Sequence, residues 1–165
     1  MKDYTTCFNS LTLLVLKEIR LEKGIQSSQL AEQTGRSPSA WAKIETGKSA
    51  FPMDSLFQAS RALWTPASAV IATAERYAAF LGQSNWAVLN SPLSSEEDDL
   101  LQIAQKYYES LGFKRRFQPA FGHVGFNGFG LSILNSPIFY PDGSVQIVDV
   151  FRFALDEEFR KTQEV

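Results

Sequence analysis

Few side chains in this 165-residue chain have the type and spacing to make or break bonds. Its single cysteine, Cys7, and single histidine, His123, lie far apart, so they form neither a nucleophile with its base nor a disulfide or Cys/His metal set. Glu96-Glu97-Asp98-Asp99 gathers four carboxylates, but acids are favoured at a helix N-terminus by the dipole, and the run reads as a solvated first turn. The stretch from Phe121 to Gly130 is glycine-rich yet lacks the Lys-Ser/Thr ending of a phosphate loop. Gly47-Lys48-Ser49 has that ending, but Ala42 stands where the earlier glycine is required. No metal, cofactor or enzymatic role is expected. What remains is hydrogen-bonding chemistry, concentrated between Ser27 and Lys48, where Lys43 offers an ammonium donor and Ser39 a hydroxyl that both donates and accepts.

The elements that must carry those groups follow from the residues around them. Leu30 and Ala31 give a short helix its inward face, and Gly35 is suited to the left-handed conformation that ends it. Ser37 is a good N-cap and Pro38 fits the first helical position, so a second helix is predicted from Pro38 to Glu45. Its Trp41 and Ile44 point inward, leaving Ser39, Ala40, Ala42 and Lys43 to face outward until Gly47 stops it. Two short helices joined by a glycine-containing turn form the unit that lays its second helix in the DNA major groove.

Over these residues the chain resembles the Cro/lambda-repressor (XRE) family. The family pattern is supplied by Arg20 and Gly24, Leu30-Ala31, Gly35, Ser37 and Glu45-Thr46-Gly47-Lys48. The resemblance implies a five-helix domain in which Arg20 pairs with Glu45 as a structural brace. It implies base reading by Pro38, Ser39, Ala40 and Lys43, with Pro38 and Ala40 limited to apolar contact with a thymine methyl. Phosphate contacts fall to Gln26, Ser27, Arg36, Ser37, Thr46 and Lys48. Family members commonly carry Gln where this chain has Ser27, with Gln26 just before it, so that grip is shifted. Direct readout is sparse, and specificity leans on DNA shape or dimer spacing.

Charge agrees with a local basic face: residues 1–50 hold seven Lys and Arg against five acids, while the whole chain is at −2. The apolar run Leu11 to Leu16 is too short to span a bilayer and reads as part of a buried first helix, so no membrane partner is expected and the cytoplasm is the expected compartment. A fourth helix capped by Asp54 and a fifth capped by Thr65 follow. The fifth carries Ala67, Val70, Ile71, Ala74, Tyr77, Ala78 and Leu81 along one stripe until Gly82. That stripe covers the domain's own core or meets a second copy in a homodimer.

Ser84 to Ser94 reads as a connector, and a helix runs from the Ser94–Asp98 caps through Leu111 to Gly112. Lys114-Arg115-Arg116 opens a strand as a solvated edge or as an added phosphate contact. A strand is expected within Leu131–Leu134, then a hairpin from Ile138-Phe139-Tyr140 to Val145–Phe153 around Pro141-Asp142-Gly143-Ser144, then a short helix within Asp156–Glu164. The glycine-rich stretch is a loop with locally packed Phe residues or a ligand pocket walled by His123.

The expected fold is mainly α: a helix-turn-helix domain over 1–64, a long helix over 65–83, and a small α+β domain with a β-hairpin over 95–165. The expected function is sequence-specific binding of a double-stranded DNA operator by a dimeric repressor, with the C-terminal domain for dimerisation, a small-molecule effector or a protein partner. An antitoxin or phage-type regulator, or an interaction module without DNA binding, would share these features.

Overall fold

The computed structural model describes residues 3–118, 125–127 and 130–165. His123 and most of the glycine-rich stretch therefore lie outside the described residues, and with them the expectation of a pocket walled by His123. Strand β1 (Tyr4–Cys7) leads into helix α1 (Phe8–Glu22), then α2 (Ser27–Gln33), α3 (Pro38–Glu45), α4 (Met53–Ala62) and α5 (Ala67–Gln83). Strand β2 (Trp86–Leu89), α6 (Asp99–Glu109), α7 (Leu111–Arg115), a 3-10 turn (Ile133–Asn135), the hairpin β3 (Ile138–Phe139) with β4 (Val145–Gln146), α8 (Asp149–Leu155) and α9 (Glu157–Gln163) complete it. The fold is mainly helical, with the helix-turn-helix region first and a small region bearing a hairpin after it. No described helix is long and apolar enough to cross a membrane.

Helix α1 is the centre of the molecule. Leu11, Leu13, Leu14, Val15, Leu16 and Ile19 are buried on several of its faces, as expected of an apolar run too short for a membrane. One apolar core runs from these residues through Leu30, Trp41 and Val70 to Leu100, Phe151 and Phe153, so no break in the core marks the expected domain boundary. The seam is polar as well as apolar. Glu18, fully buried, accepts hydrogen bonds from Arg116 at 3.0 Å, Tyr108 at 2.8 Å and Asn127 at 3.3 Å. Glu22 accepts from the Ser132 hydroxyl at 2.9 Å and the Ile133 N–H at 2.7 Å. At the other end of α1, Ser10 and Thr6 donate to the buried Asp98 at 2.6 and 2.9 Å, and Asp98 in turn caps α6 by accepting from the Leu101 N–H.

Several sequence expectations give way to these contacts. The connector contains β2, which pairs in parallel with β1 and stacks Trp86 on Tyr4 at 4.9 Å between ring centroids. A parallel pair needs a partner far away in sequence, so no local turn announces it. Arg116 is a buried ion-pair partner at the end of α7 and neither a solvated edge nor a phosphate contact. The helix expected to reach Gly112 ends at Glu109, because Ser110 caps α7 by accepting from the Phe113 N–H. Leu131–Leu134 forms no strand; a 3-10 turn occupies its end.

The hairpin turn holds, with Asp142 accepting from the Ser144 N–H and hydroxyl, but its second strand stops at Gln146. Val150, Phe151, Phe153 and Ala154 then bury together as one face of α8, a helical spacing that wins over the apparent alternation. Asp54 lies inside the first turn of α4, whose N-cap is Pro52, and the Thr65 hydroxyl donates to the Leu63 carbonyl while Pro66 caps α5. The α5 stripe belongs to the chain's own core: Val70, Ala74, Tyr77 and Leu81 are at most 1% exposed, Ala67 and Ala78 are buried, and only Ile71 is exposed. Tyr77 stacks on Phe151 at 3.9 Å and hydrogen-bonds Ser136, so a second copy cannot reach this stripe as an interface.

Two outcomes follow. Ala74→Glu places a carboxylate where there is neither space nor a partner, so it is expected to abolish the cooperative thermal transition seen by circular dichroism rather than to yield a folded monomer. Burial holds the Glu22 carboxyl above its ordinary value, with the Ser132 and Ile133 hydrogen bonds opposing the shift. A raised carboxyl contributes stability below its unfolded pKa and loses it as pH rises through the folded one. Glu22→Gln, which keeps a partner for each bond, should therefore melt at or above the wild type at pH 7, with the advantage shrinking towards pH 4.

Candidate nucleic-acid interface

The turn between α2 and α3 is built as the residues require. Gly35 has φ of +72° and closes α2 with a pair of reversed hydrogen bonds, Arg36 N–H to the Ala31 carbonyl at 2.9 Å and its own N–H to the Glu32 carbonyl at 3.1 Å. Ser37 then accepts from the Ala40 N–H at 3.1 Å and Pro38 takes the first position of α3. Gly47, at φ +79°, ends α3 in the same way, with Lys48 N–H donating to the Lys43 carbonyl at 2.8 Å. The chain is thus turned sharply on both sides of an eight-residue helix.

Inward, α3 is fixed by Trp41, Ile44 and Glu45. One Glu45 oxygen takes Arg20 Nη2 at 2.5 Å and the other takes the Trp41 indole N–H at 2.7 Å. Arg20 Nη1 also donates to the Ile25 carbonyl at 2.9 Å, tying α1, the α1–α2 turn and α3 together. The brace that the resemblance implied therefore has a third member, Trp41, whose i, i+4 spacing from Glu45 was visible in the sequence. A fourth group, Lys17, lies 3.9 Å from Glu45 and 3.8 Å above the Tyr108 ring. Burial pulls the Lys17 ammonium below its ordinary pKa, against the attraction of Glu45.

Outward, Pro38, Ser39 and Lys43 are exposed and Ala40 is half-buried on one face of α3. Arg36, Ser39, Lys43, Ser49 and Ala50 line one open depression there. The last two, in the loop after α3, carry no sequence signal beyond their position. The six residues expected at phosphate divide. Gln26 and Lys48 are exposed, and Ser27 is half-buried at the start of α2. Ser37 is occupied as a cap, and the Thr46 hydroxyl donates to the Ala42 carbonyl at 2.8 Å. Arg36 donates to Gln58 at 2.7 Å and to Ser55 at 2.6 Å, so its guanidinium locks α4 against the turn. Lys43 and Lys48 make no ion pair or hydrogen bond through their side chains among the described residues, and they supply exposed positive charge on this face.

Residues 16–66 match the family model described as helix-turn-helix. No curated protein and no solved structure matches the chain.

Removing the Glu45 carboxylate strands the Arg20 guanidinium, 9% exposed, and the Trp41 indole N–H together. Glu45→Ala is therefore expected to cost about 3–5 kcal/mol in a denaturant titration. An unchanged midpoint would show that the brace does not hold α3.

Proposed function

We propose that the protein is a sequence-specific transcriptional repressor whose DNA-binding part is residues 16–66, the stretch that matches the helix-turn-helix family model. It reads the major groove with α3, and the observation that carries this is the division of that helix. Trp41, Ile44 and Glu45 are anchored inward, while Ser39 and Lys43 stand exposed and make no side-chain hydrogen bond or ion pair among the described residues. Lys43 donates to guanine O6 and N7, Ser39 to a neighbouring base, and Pro38 and Ala40 offer apolar contact to a thymine methyl. Lys48 and Gln26 hold phosphates and set the register. Two hydrogen-bonding side chains are few for an operator, so two copies on symmetry-related half-sites supply the remaining specificity through a surface other than the α5 stripe. Repression follows from occupancy of the operator.

The test is selection of bound fragments from genomic DNA, followed by titration of the recovered sequence and of a scrambled duplex. Lys43→Ala is expected to weaken the selected site by about 1–3 kcal/mol and to leave the scrambled duplex nearly unaffected. Lys48→Ala should weaken both alike and lower the salt slope by about one unit, as loss of one phosphate contact does. Equal affinity of the wild type for both duplexes would overturn sequence-specific recognition.

A further inference from the structure

Helix α6 does not close against the end of α3 along its whole length. Between α1, the last turn of α3 and α6 lies a cavity of about 480 Å³, within the range of small-molecule sites. Its apolar wall is Leu14, Leu101, Ala104 and the Tyr108 ring. Lys17 opens into it, 20% exposed, with three donors and no hydrogen bond among the described residues. Its nearest carboxylate, Glu45 at 3.9 Å, already has one oxygen bound by Arg20 and the other by Trp41. Lys48 stands at the mouth as a second cation, and Glu96 and Glu109 stand there as acids.

We propose that this cavity is an effector site for a small organic monoanion with a flat apolar body, whose anionic group pairs with Lys17 and whose binding weakens the hold of α3 on DNA. The apolar body lies along Leu101 and the edge of the Tyr108 ring, whose face Lys17 already covers. A partly desolvated ammonium with no direct acceptor gains a charge-assisted hydrogen bond from such an anion. Lys17 matches one negative charge, and a second would meet Glu45, Glu96 and Glu109 on the same lining with no further cation inside the cavity, so the ligand is a monoanion. Coupling to α3 is short. Leu101 sits against the turn that ends that helix, so closely that a Cβ added to Gly47 would lie 2.5 Å from its Cδ1. A ligand that shifts Leu101 shifts the turn carrying Thr46 and Lys48, and DNA binding must reciprocally weaken the ligand. This second half rests on the DNA-binding reading; the site itself does not.

The experiment titrates the full chain, without DNA, with 1-anilinonaphthalene-8-sulfonate, a flat aromatic monoanion, and with uncharged N-phenyl-1-naphthylamine, following fluorescence. Saturable single-site binding of the sulfonate is expected, at least tenfold tighter than the neutral probe. Lys17→Met should weaken it about tenfold and leave the neutral probe unchanged. Because burial disfavours the Lys17 charge, this variant should melt no lower than the wild type. Gln105→Trp, at an exposed position of the lining, should obstruct the cavity and remove both probes' binding. No saturable binding, equal affinity for the charged and neutral probes, or a sulfonate affinity insensitive to Lys17→Met overturns the site. Saturating sulfonate should then weaken the selected DNA fragment at least fivefold in the wild type and not in Lys17→Met; an unchanged affinity overturns the coupling. A chain that binds no DNA in either state overturns the repressor reading, while the fluorescence titration still decides the site.

Discussion

A carboxylate with no solvent exposure, Glu18, sits in the middle of α1, and much of the molecule is arranged around making it tolerable. An unpaired buried charge of this kind is prohibitively costly, whereas one with an ion pair and several hydrogen bonds can be kept. Arg116, Tyr108 and Asn127 supply those partners, and all three come from the C-terminal region. Arg116 is held in turn by the Gly125 carbonyl at 2.7 Å. The same helix offers Ser10 to Asp98 and Glu22 to Ser132 and Ile133, so α1 is bonded to the C-terminal region at its start, middle and end. In this chain the first helix of the helix-turn-helix region is also the central helix of a larger core.

That dual use of α1 links the presentation of α3 to the rest of the chain. Arg20 and Lys17 face α3 and Glu45 from the same helix whose Glu18 faces Arg116. A single turn of α1 thus connects α3 to the C-terminal region, and Tyr108 closes the path by bonding Glu18 while its ring lies under Lys17. The C-terminal region and α3 therefore touch the same few residues of α1 through packed side chains.

The helix-turn-helix was legible because its signals are local. Gly35, Ser37, Pro38 and Gly47 each act within one turn of their own position, and Leu30, Trp41 and Ile44 follow helical spacing. The brace was legible through resemblance, since Arg20 and Glu45 are 25 residues apart and nothing local joins them. The chain after Gly82 was read less well. Lys114-Arg115-Arg116 looked like one solvated run, yet Arg116 is committed to a buried acid 98 residues earlier. Val145 to Phe153 alternates well enough for a strand, and only burial of Val150, Phe151 and Phe153 against α6 and α5 makes its second half a helix.

By itself, then, the sequence determined where the chain turns, where α2 and α3 begin and end, and which side chains of α3 point outward, because caps, glycines and apolar spacing act over a few residues. Tertiary structure alone decided what the charged residues do. Arg36 was expected at phosphate and is a clamp on α4; Asp98 and Arg116 were read in solvated runs and are buried partners. The alanine-rich stripe of α5 could have met a second chain, and its own chain covers it first. The physical reason is the same in each case: a charge or an apolar face is compatible with many environments, and the cost of burial selects one only when partners distant in sequence arrive beside it.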